Sequence, residues 1–159
     1  MIDNNFSFVQ EFEKNWKLIL NEFQLIQHSM VSWPEYHLYN NGWDVFGLFD
    51  FPNGNPIEEN ITQCPITAEL IEKIPYHGAA GFSRLAANTV ITPHKGYQGD
   101  FLRMHLGLEI PFGDCGLHSN GHVYRWEPGK AFVFDDRQTH DAWNNTSQER
   151  IVLIVDFIP

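Results

Sequence analysis

His94 and His140 are candidate ligands for a divalent metal, and Gly96 is the residue that complicates them. An iron site of the two-histidine, one-carboxylate kind gathers its three donors on one side of the metal. The first two donors commonly arrive as His-x-Asp or His-x-Glu. The chain has eight histidines, at 28, 37, 77, 94, 105, 118, 122 and 140, and none has Asp or Glu two places later. The first candidate reads Pro93-His94-Lys95-Gly96. Either the chain binds no iron, or it binds iron through two imidazoles. His105-Leu106-Gly107 has the same His-x-Gly form, so spacing alone leaves His94 and His105 in competition.

Other polar residues stand where apolar ones are usual. Arg103 and His105 are two apart, so on a strand they share a face, while Leu102, Met104 and Leu106 share the other. A salt-bridged arginine on an outer face is the plain alternative for Arg103. Arg150 opens the apolar run Arg150-Ile151-Val152-Leu153-Ile154-Val155-Asp156-Phe157. It reads either as a solvated strand end or as the anchor of a carboxylate ligand, which a guanidinium fork matches bidentately. Asp135-Asp136 reads more simply as a turn than as an acid–base pair. Asp141 adjoins His140 and so points to the opposite face of a strand, which makes it a poor third ligand. His118 and His122 straddle the turn Ser119-Asn120-Gly121 and read as exposed or substrate-side residues. The chain contains no Gly-x-Ser-x-Gly elbow, phosphate-binding glycine loop or dinucleotide fingerprint.

The elements that must position these residues divide into a helical front and a strand-rich remainder. Phe8, Phe12, Trp16, Ile19 and Phe23 recur at spacings of three and four, the stripe of an amphipathic helix that Ser7 could cap. A strand follows over Trp43–Phe51, and a short helix over Ile66–Lys73. From Phe82 the period changes to two, with candidate strands at Phe82–Thr92, Phe101–Ile110, His122–Trp126, Ala131–Phe134, His140–Trp143 and Arg150–Phe157. Short strands with regular turn punctuation predict a β-sandwich or barrel, and a jelly roll with helices in front is the natural fit.

At 159 residues the chain is one domain's worth, expected over 1–159 with a helical part to about residue 80 and a jelly-roll core over about 81–159. Hydrophobic residues make up 43% and aromatics 14%, enough for a real core. A net charge of −10 argues against a nucleic-acid partner. Cys64 and Cys115 are too few for a disulfide framework and fit no zinc motif, so reduced thiols are expected. No signal peptide and no run of ~20 apolar residues is visible. A soluble, cytoplasmic protein without a membrane segment is the expectation.

The block from Val90 to Pro159 resembles the aspartyl/asparaginyl β-hydroxylase family of Fe(II)/2-oxoglutarate-dependent oxygenases. The likeness is carried in order by His94-Lys95-Gly96, the segment Leu102–Leu108, Pro128-Gly129-Lys130, Phe134-Asp135-Asp136, His140-Asp141-Ala142-Trp143 and the segment Arg150–Asp156. Phe12–Lys17 and Leu70–Pro75 extend it over nearly the whole chain, and it is weakest over Val31–Cys64. The glycine at position 96 is itself a family feature.

The resemblance implies a double-stranded β-helix of the cupin-like kind with N-terminal helices packed outside. It implies Fe(II) on His94 and His140, and 2-oxoglutarate contacts from Ser83, Arg103, His105 and Arg150. Arg150 and Ser83 would hold the distal carboxylate, and Arg103 and His105 the carboxylate nearer the metal. The implied reaction consumes O2 and hydroxylates an unactivated C–H, by family the β-carbon of an aspartyl, asparaginyl or other amino-acid-like substrate, free or in a peptide. Two further readings stand beside it. One is halogenation with halide in the position opened by Gly96; the other is a non-catalytic metabolite-binding jelly roll.

Overall fold

A computed structural model describes residue 2 and residues 5–159. The front stripe forms two helices, α1 (Ser7–Lys14) and α2 (Trp16–Ile26). The break falls at Asn15, whose backbone amide and side-chain amide both donate to the Glu11 carbonyl and end α1. Phe12, Ile19 and Phe23 are buried, with Val9 and Ile26 beside them. Ser7 lies inside α1 rather than capping it. Phe6 holds the cap position without a side-chain bond, and its carbonyl accepts from the Val9 amide, so no hydroxyl is needed there.

Two short helices follow, α3 (Glu58–Ile61) and α4 (Pro65–Glu72), of which the sequence announced only the second. Glu22, buried on α2, caps α4 across the structure. Its carboxylate accepts from the Ile66 amide (2.9 Å), the Thr67 amide (2.7 Å) and the Thr67 hydroxyl (2.6 Å). An anion at a helix N-terminus also opposes the helix dipole. Glu22→Gln loses the charge and puts an amide N–H against donors. It is expected to cost about 1–3 kcal/mol, read as a melting temperature several degrees lower. An unchanged melting curve would show that Glu22 is not what ties α4 to α2.

Among the described residues ten strands form two antiparallel sheets. The larger has six, in the order β1 (Val31–Ser32), β2 (Trp43–Phe49), β3 (His77–Leu85), β10 (Arg150–Phe157), β5 (Leu102–Glu109) and β8 (Ala131–Phe134). The smaller has four: β4 (Thr89–His94), β9 (His140–Asn144), β6 (Cys115–Ser119) and β7 (His122–Tyr124). Pro93 sits on β4, an edge strand, where a missing N–H costs no ladder bond.

The expected strand Phe82–Thr92 is two strands in opposite sheets. The chain turns over Ala86–Asn88, where Asn88 takes a left-handed φ of 55°. The expected His122–Trp126 ends at Tyr124, and β6, interrupted by Gly116, had no alternating signal. Because β1, β2 and the start of β3 enter the larger sheet, the stretch before residue 80 is not purely helical.

Two cores lie on either side of the larger sheet. Leu102, Met104, Leu106, Leu153 and Val155 pack outward against Phe12, Ile19, Phe23 and Ile71 of the helices. Leu85, Val152 and Phe134 pack inward against Ile91, Leu117 and Ala142 of the smaller sheet. Strand β10 is covered on both faces, which is why it reads as an unbroken apolar run instead of an alternating one. Arg103, His105 and Arg150 face inward, between the sheets.

Candidate active site

All six residues singled out in the sequence, Ser83, His94, Arg103, His105, His140 and Arg150, line one cavity between the sheets, together with Trp43, Phe134 and Asp136. Strand register brings them there. His94 ends β4 and His140 begins β9, and the two are direct cross-strand partners, with ring centroids 4.4 Å apart. Ser83 pairs with Val152 across the β3–β10 ladder, and Arg103 with Asp156 across β5–β10.

The two histidines present the same atom to the cavity. His94 Nδ1 lies 2.7 Å from the Thr92 carbonyl, and His140 Nδ1 lies 2.8 Å from the Gln138 carbonyl. A carbonyl only accepts, so each Nδ1 carries the proton. In the neutral ring each Nε2 then has a lone pair turned to the cavity, the form in which imidazole binds a metal. Burial lowers the His94 pKa and so favours the neutral ring, opposed in part by the bond to Thr92. Among the described residues no group of three or more His, Cys, Asp or Glu side chains is arranged to close around a metal ion. His94 and His140 are the pair of side chains here that could donate to a metal.

A carboxylate does reach the site, from an unexpected place. The Asp135-Asp136 pair reads as a turn, and for Asp135, which holds Arg137, that is correct. Asp136 instead turns inward, 7% exposed, with Oδ1 3.1 Å from His140 Nε2 and 3.2 Å from Arg103 Nη1. Burial alone would raise its carboxyl pKa, but the Arg103 charge overcomes that and holds it well below the usual range. The Gly96 amide donates to the Asp136 carbonyl (2.8 Å), docking the two loops together. A Cβ built on Gly96 would fall 1.6 Å from Asp136 Oδ2. The space a side chain at position 96 would need is already filled by the carboxylate of residue 136. Sequence spacing could not show this, because the two residues belong to different loops.

The two arginines differ in their compensation. Arg103 donates through Nε and Nη2 to the two carboxylate oxygens of Asp156 (2.7 and 2.9 Å), and its Nη1 meets Asp136. Its charge is answered twice. Arg150 is 2% exposed and has no carboxylate partner among the described residues. Its Nη2 donates to Ser83 Oγ (2.8 Å), its guanidinium stacks 4.6 Å from the centre of the Trp126 ring, and its Nε has no partner. Burial lowers its pKa to about 10. A solvated strand end, the plain reading of Arg150, is excluded.

Trp126, which sequence reasoning passed over, also sets His105. Its indole N–H donates to His105 Nδ1 (3.0 Å), so the proton of the neutral ring sits on Nε2. Burial, then Arg150 and Arg103, push His105 well below its ordinary pKa and keep the ring neutral. Ser83 Oγ accepts from both Trp43 Nε1 (2.9 Å) and Arg150. The pocket is thus lined by a buried cation, a hydroxyl and a neutral N–H donor.

The remaining candidates lie elsewhere. His118 pairs with Asp141 (3.1 Å) on the outer side of the smaller sheet, and His122 begins the next strand of that hairpin. Asp141 accordingly faces away from His140. Cys64 and Cys115 are both buried free thiols.

Two antiparallel sheets that enclose a cavity lined by two imidazoles and an arginine without a carboxylate partner among the described residues make this a jelly roll of the cupin-like kind. The fold is shared with a prolyl-4-hydroxylase from Pseudomonas putida (TM-score 0.58, 13% identity, covering 90% of this chain and 86% of that one). It is shared too with a predicted oxalate decarboxylase from Thermotoga maritima (TM-score 0.53, 12% identity, covering 82% and 92%). Within that class, the chain belongs to the aspartyl/asparaginyl beta-hydroxylase family, whose sequence model matches residues 13–159.

Among its relatives are the ornithine lipid ester-linked acyl 2-hydroxylase of Rhizobium tropici, 32% identical over 96% of this chain, and the human aspartyl/asparaginyl beta-hydroxylase, 34% identical over 93%. The chain spans 58% of the first relative's length and 20% of the second's. No helix among the described residues is long and apolar enough to cross a membrane.

Proposed function

We propose that this chain is an Fe(II)- and 2-oxoglutarate-dependent hydroxylase. The observation that carries the reading is Arg150: a guanidinium buried without a carboxylate, its Nε unpartnered, at one end of a cavity that holds two metal-ready imidazoles. An uncompensated buried cation is costly, and a dicarboxylate ligand would answer it. His94 and His140 would hold the iron through Nε2. Arg150 and Ser83 would bind the distal carboxylate, with His105 Nε2–H donating to the other end. Arg103, already engaged by Asp156 and Asp136, would act mainly by holding Asp136 beside His140. Iron and 2-oxoglutarate, when bound, would activate O2 for insertion of one oxygen atom into a C–H bond, with the second oxygen leaving in succinate as CO2 is lost. Trp43, Phe134, Ile91 and Leu117 keep the cavity walls dry.

The relatives' names suggest the bond attacked. The β-carbon of an aspartyl or asparaginyl side chain and carbon 2 of an acyl ester are both methylenes beside a carbonyl carbon. A methylene in that position is the proposed target here. Halogenation fits less well, since a halide beside Gly96 would lie against the Asp136 carboxylate.

The test is O2-dependent succinate release with Fe(II), 2-oxoglutarate and a panel of acyl and amino-acid acceptors. His94→Ala or His140→Ala is expected to remove at least ~100-fold of it. No succinate above the level of the His140→Ala protein, with any acceptor, would overturn the reading. An undiminished metal affinity in His94→Ala would favour a non-catalytic jelly roll.

A further inference from the structure

An apolar groove of about 240 Å³ runs along the inner face of the larger sheet and joins the histidine cavity, sharing Trp43, Arg103 and Ile154 with it. We propose that this groove seats an uncharged aliphatic segment of the substrate, next to the carbon that is oxidised. The proposal rests on the hydroxylase reading for the reaction, and on the groove's own lining for the chemistry of its occupant.

The floor is made by Gly47, Ala79 and Gly81, facing residues of β2 and β3 with almost no side chain. Gly81 lets β3 approach β2 closely, since a Cβ there would meet the Phe46 carbonyl oxygen at 2.5 Å, and with Gly47 and Ala79 it leaves the floor almost free of side chains. The walls are aromatic or aliphatic, and Trp33 stacks on Trp43 at 4.9 Å to form one of them. At the outer end Phe51, 53% exposed, meets Tyr97, 46% exposed, at 5.4 Å. Two large rings left in water beside an apolar channel form a lip that an aliphatic chain would cover.

Charge excludes the main competitor. Only two ionisable side chains line the groove, Arg103 and Asp50. Arg103 is compensated by Asp136 and Asp156. Asp50 lies at the rim and accepts from the Asn55 backbone amide. A substrate carboxylate lying in the groove would find no free cation and would meet Asp50. A peptide strand would find little ladder to join, because β3 pairs on both sides, and the outer edge of β2 is met by β1 at Asp44 and Val45, by the Asn60 side chain at the Gly47 carbonyl and by the Ile57 amide at the Leu48 carbonyl. An alkyl segment needs neither partner and gains from every methylene that leaves water.

The test is calorimetric binding of hexanamide, octanamide and decanamide to the Mn(II)-loaded protein, with 2-oxoglutarate titrated separately. Affinity should rise roughly tenfold for each pair of methylenes. Ala79→Phe, which fills the channel, and Phe51→Asp, which charges the lip, should each weaken decanamide about tenfold or more and leave 2-oxoglutarate affinity unchanged. Phe51 lies at the surface, so that variant keeps the test available if Ala79→Phe does not fold. N-acetyl-aspartamide should bind no better than hexanamide.

The groove assignment is overturned if decanamide shows no saturable binding to protein that binds 2-oxoglutarate. It is also overturned if both variants bind decanamide like the parent, or if N-acetyl-aspartamide binds more tightly than decanamide. Chain-length-dependent binding without any 2-oxoglutarate binding would leave the groove in place and remove the cofactor reading.

Discussion

Arg150→Met is expected to make the ligand-free protein more stable while abolishing its response to 2-oxoglutarate. The guanidinium is buried with no carboxylate to answer it, so folding carries the cost of its desolvation. The sign follows from the direction of its shift. A cation whose folded pKa is lowered, here to about 10, disfavours folding wherever it must remain protonated. That load is full at every pH below about 10 and is relieved only as pH rises through that value.

Methionine fills similar space without charge, and such exchanges of buried charge for apolar volume often stabilise by ~1–4 kcal/mol. The same change removes the charge-assisted contact to a carboxylate, for which a loss of about 100-fold or more in affinity is expected. Thermal melts with and without 2-oxoglutarate read both effects at once. The parent should melt higher with the ligand; the variant should melt higher than the ligand-free parent and not respond. A variant that still gains stability from 2-oxoglutarate would show that the carboxylate is held elsewhere.

Gly96→Asp, which writes the ordinary His-x-Asp pattern into the chain, is expected to damage the site instead of completing it. Its Cβ would fall 1.6 Å from Asp136 Oδ2 and 2.8 Å from the Asp136 carbonyl oxygen. Both loops would have to move, and with them His94 and His140. Loss of Fe(II) affinity and of succinate release by about 100-fold is expected. Asp136→Gly alone should also be severe, since Arg103 and His140 each lose a partner.

The double variant Gly96→Asp/Asp136→Gly removes the worst overlap and delivers a carboxylate from position 96. The 2.8 Å approach to the residue 136 backbone oxygen is left, so the loop must still yield there. It should recover about tenfold over either single variant, a coupling that independent sites would not show. A double variant no better than Gly96→Asp would mean that the Asp136 side chain is not what keeps a carboxylate out of position 96.

Much of the inward-facing chemistry was legible because strands alternate. Arg103 and His105 against Leu102, Met104 and Leu106 announced one polar and one apolar face, and the cores divide on that line. The unbroken apolar run of β10 announced a strand covered on both sides. The family was legible from ordered motifs, and the family match over 13–159 agrees with them. The break of Phe82–Thr92 was not legible, since Ala86-Ala87-Asn88 lacks a proline or glycine to mark it. The turn reading of Asp135-Asp136 was half right. Composition placed a turn there, and only its docking against Gly96 decided which of the two acids faces inward.

By itself the sequence determined which residue types alternate along each strand, and so which side chains face the space between the sheets. Those are local facts, set by backbone geometry within a few residues. Tertiary structure alone decided that Arg103 is answered by Asp156 and Asp136 while Arg150 is left unanswered, and that Asp136 fills the space beside Gly96. Charge compensation depends on distances of a few ångströms between strands and loops far apart in the chain. Register across the sheets sets those distances, and no spacing within one segment encodes it.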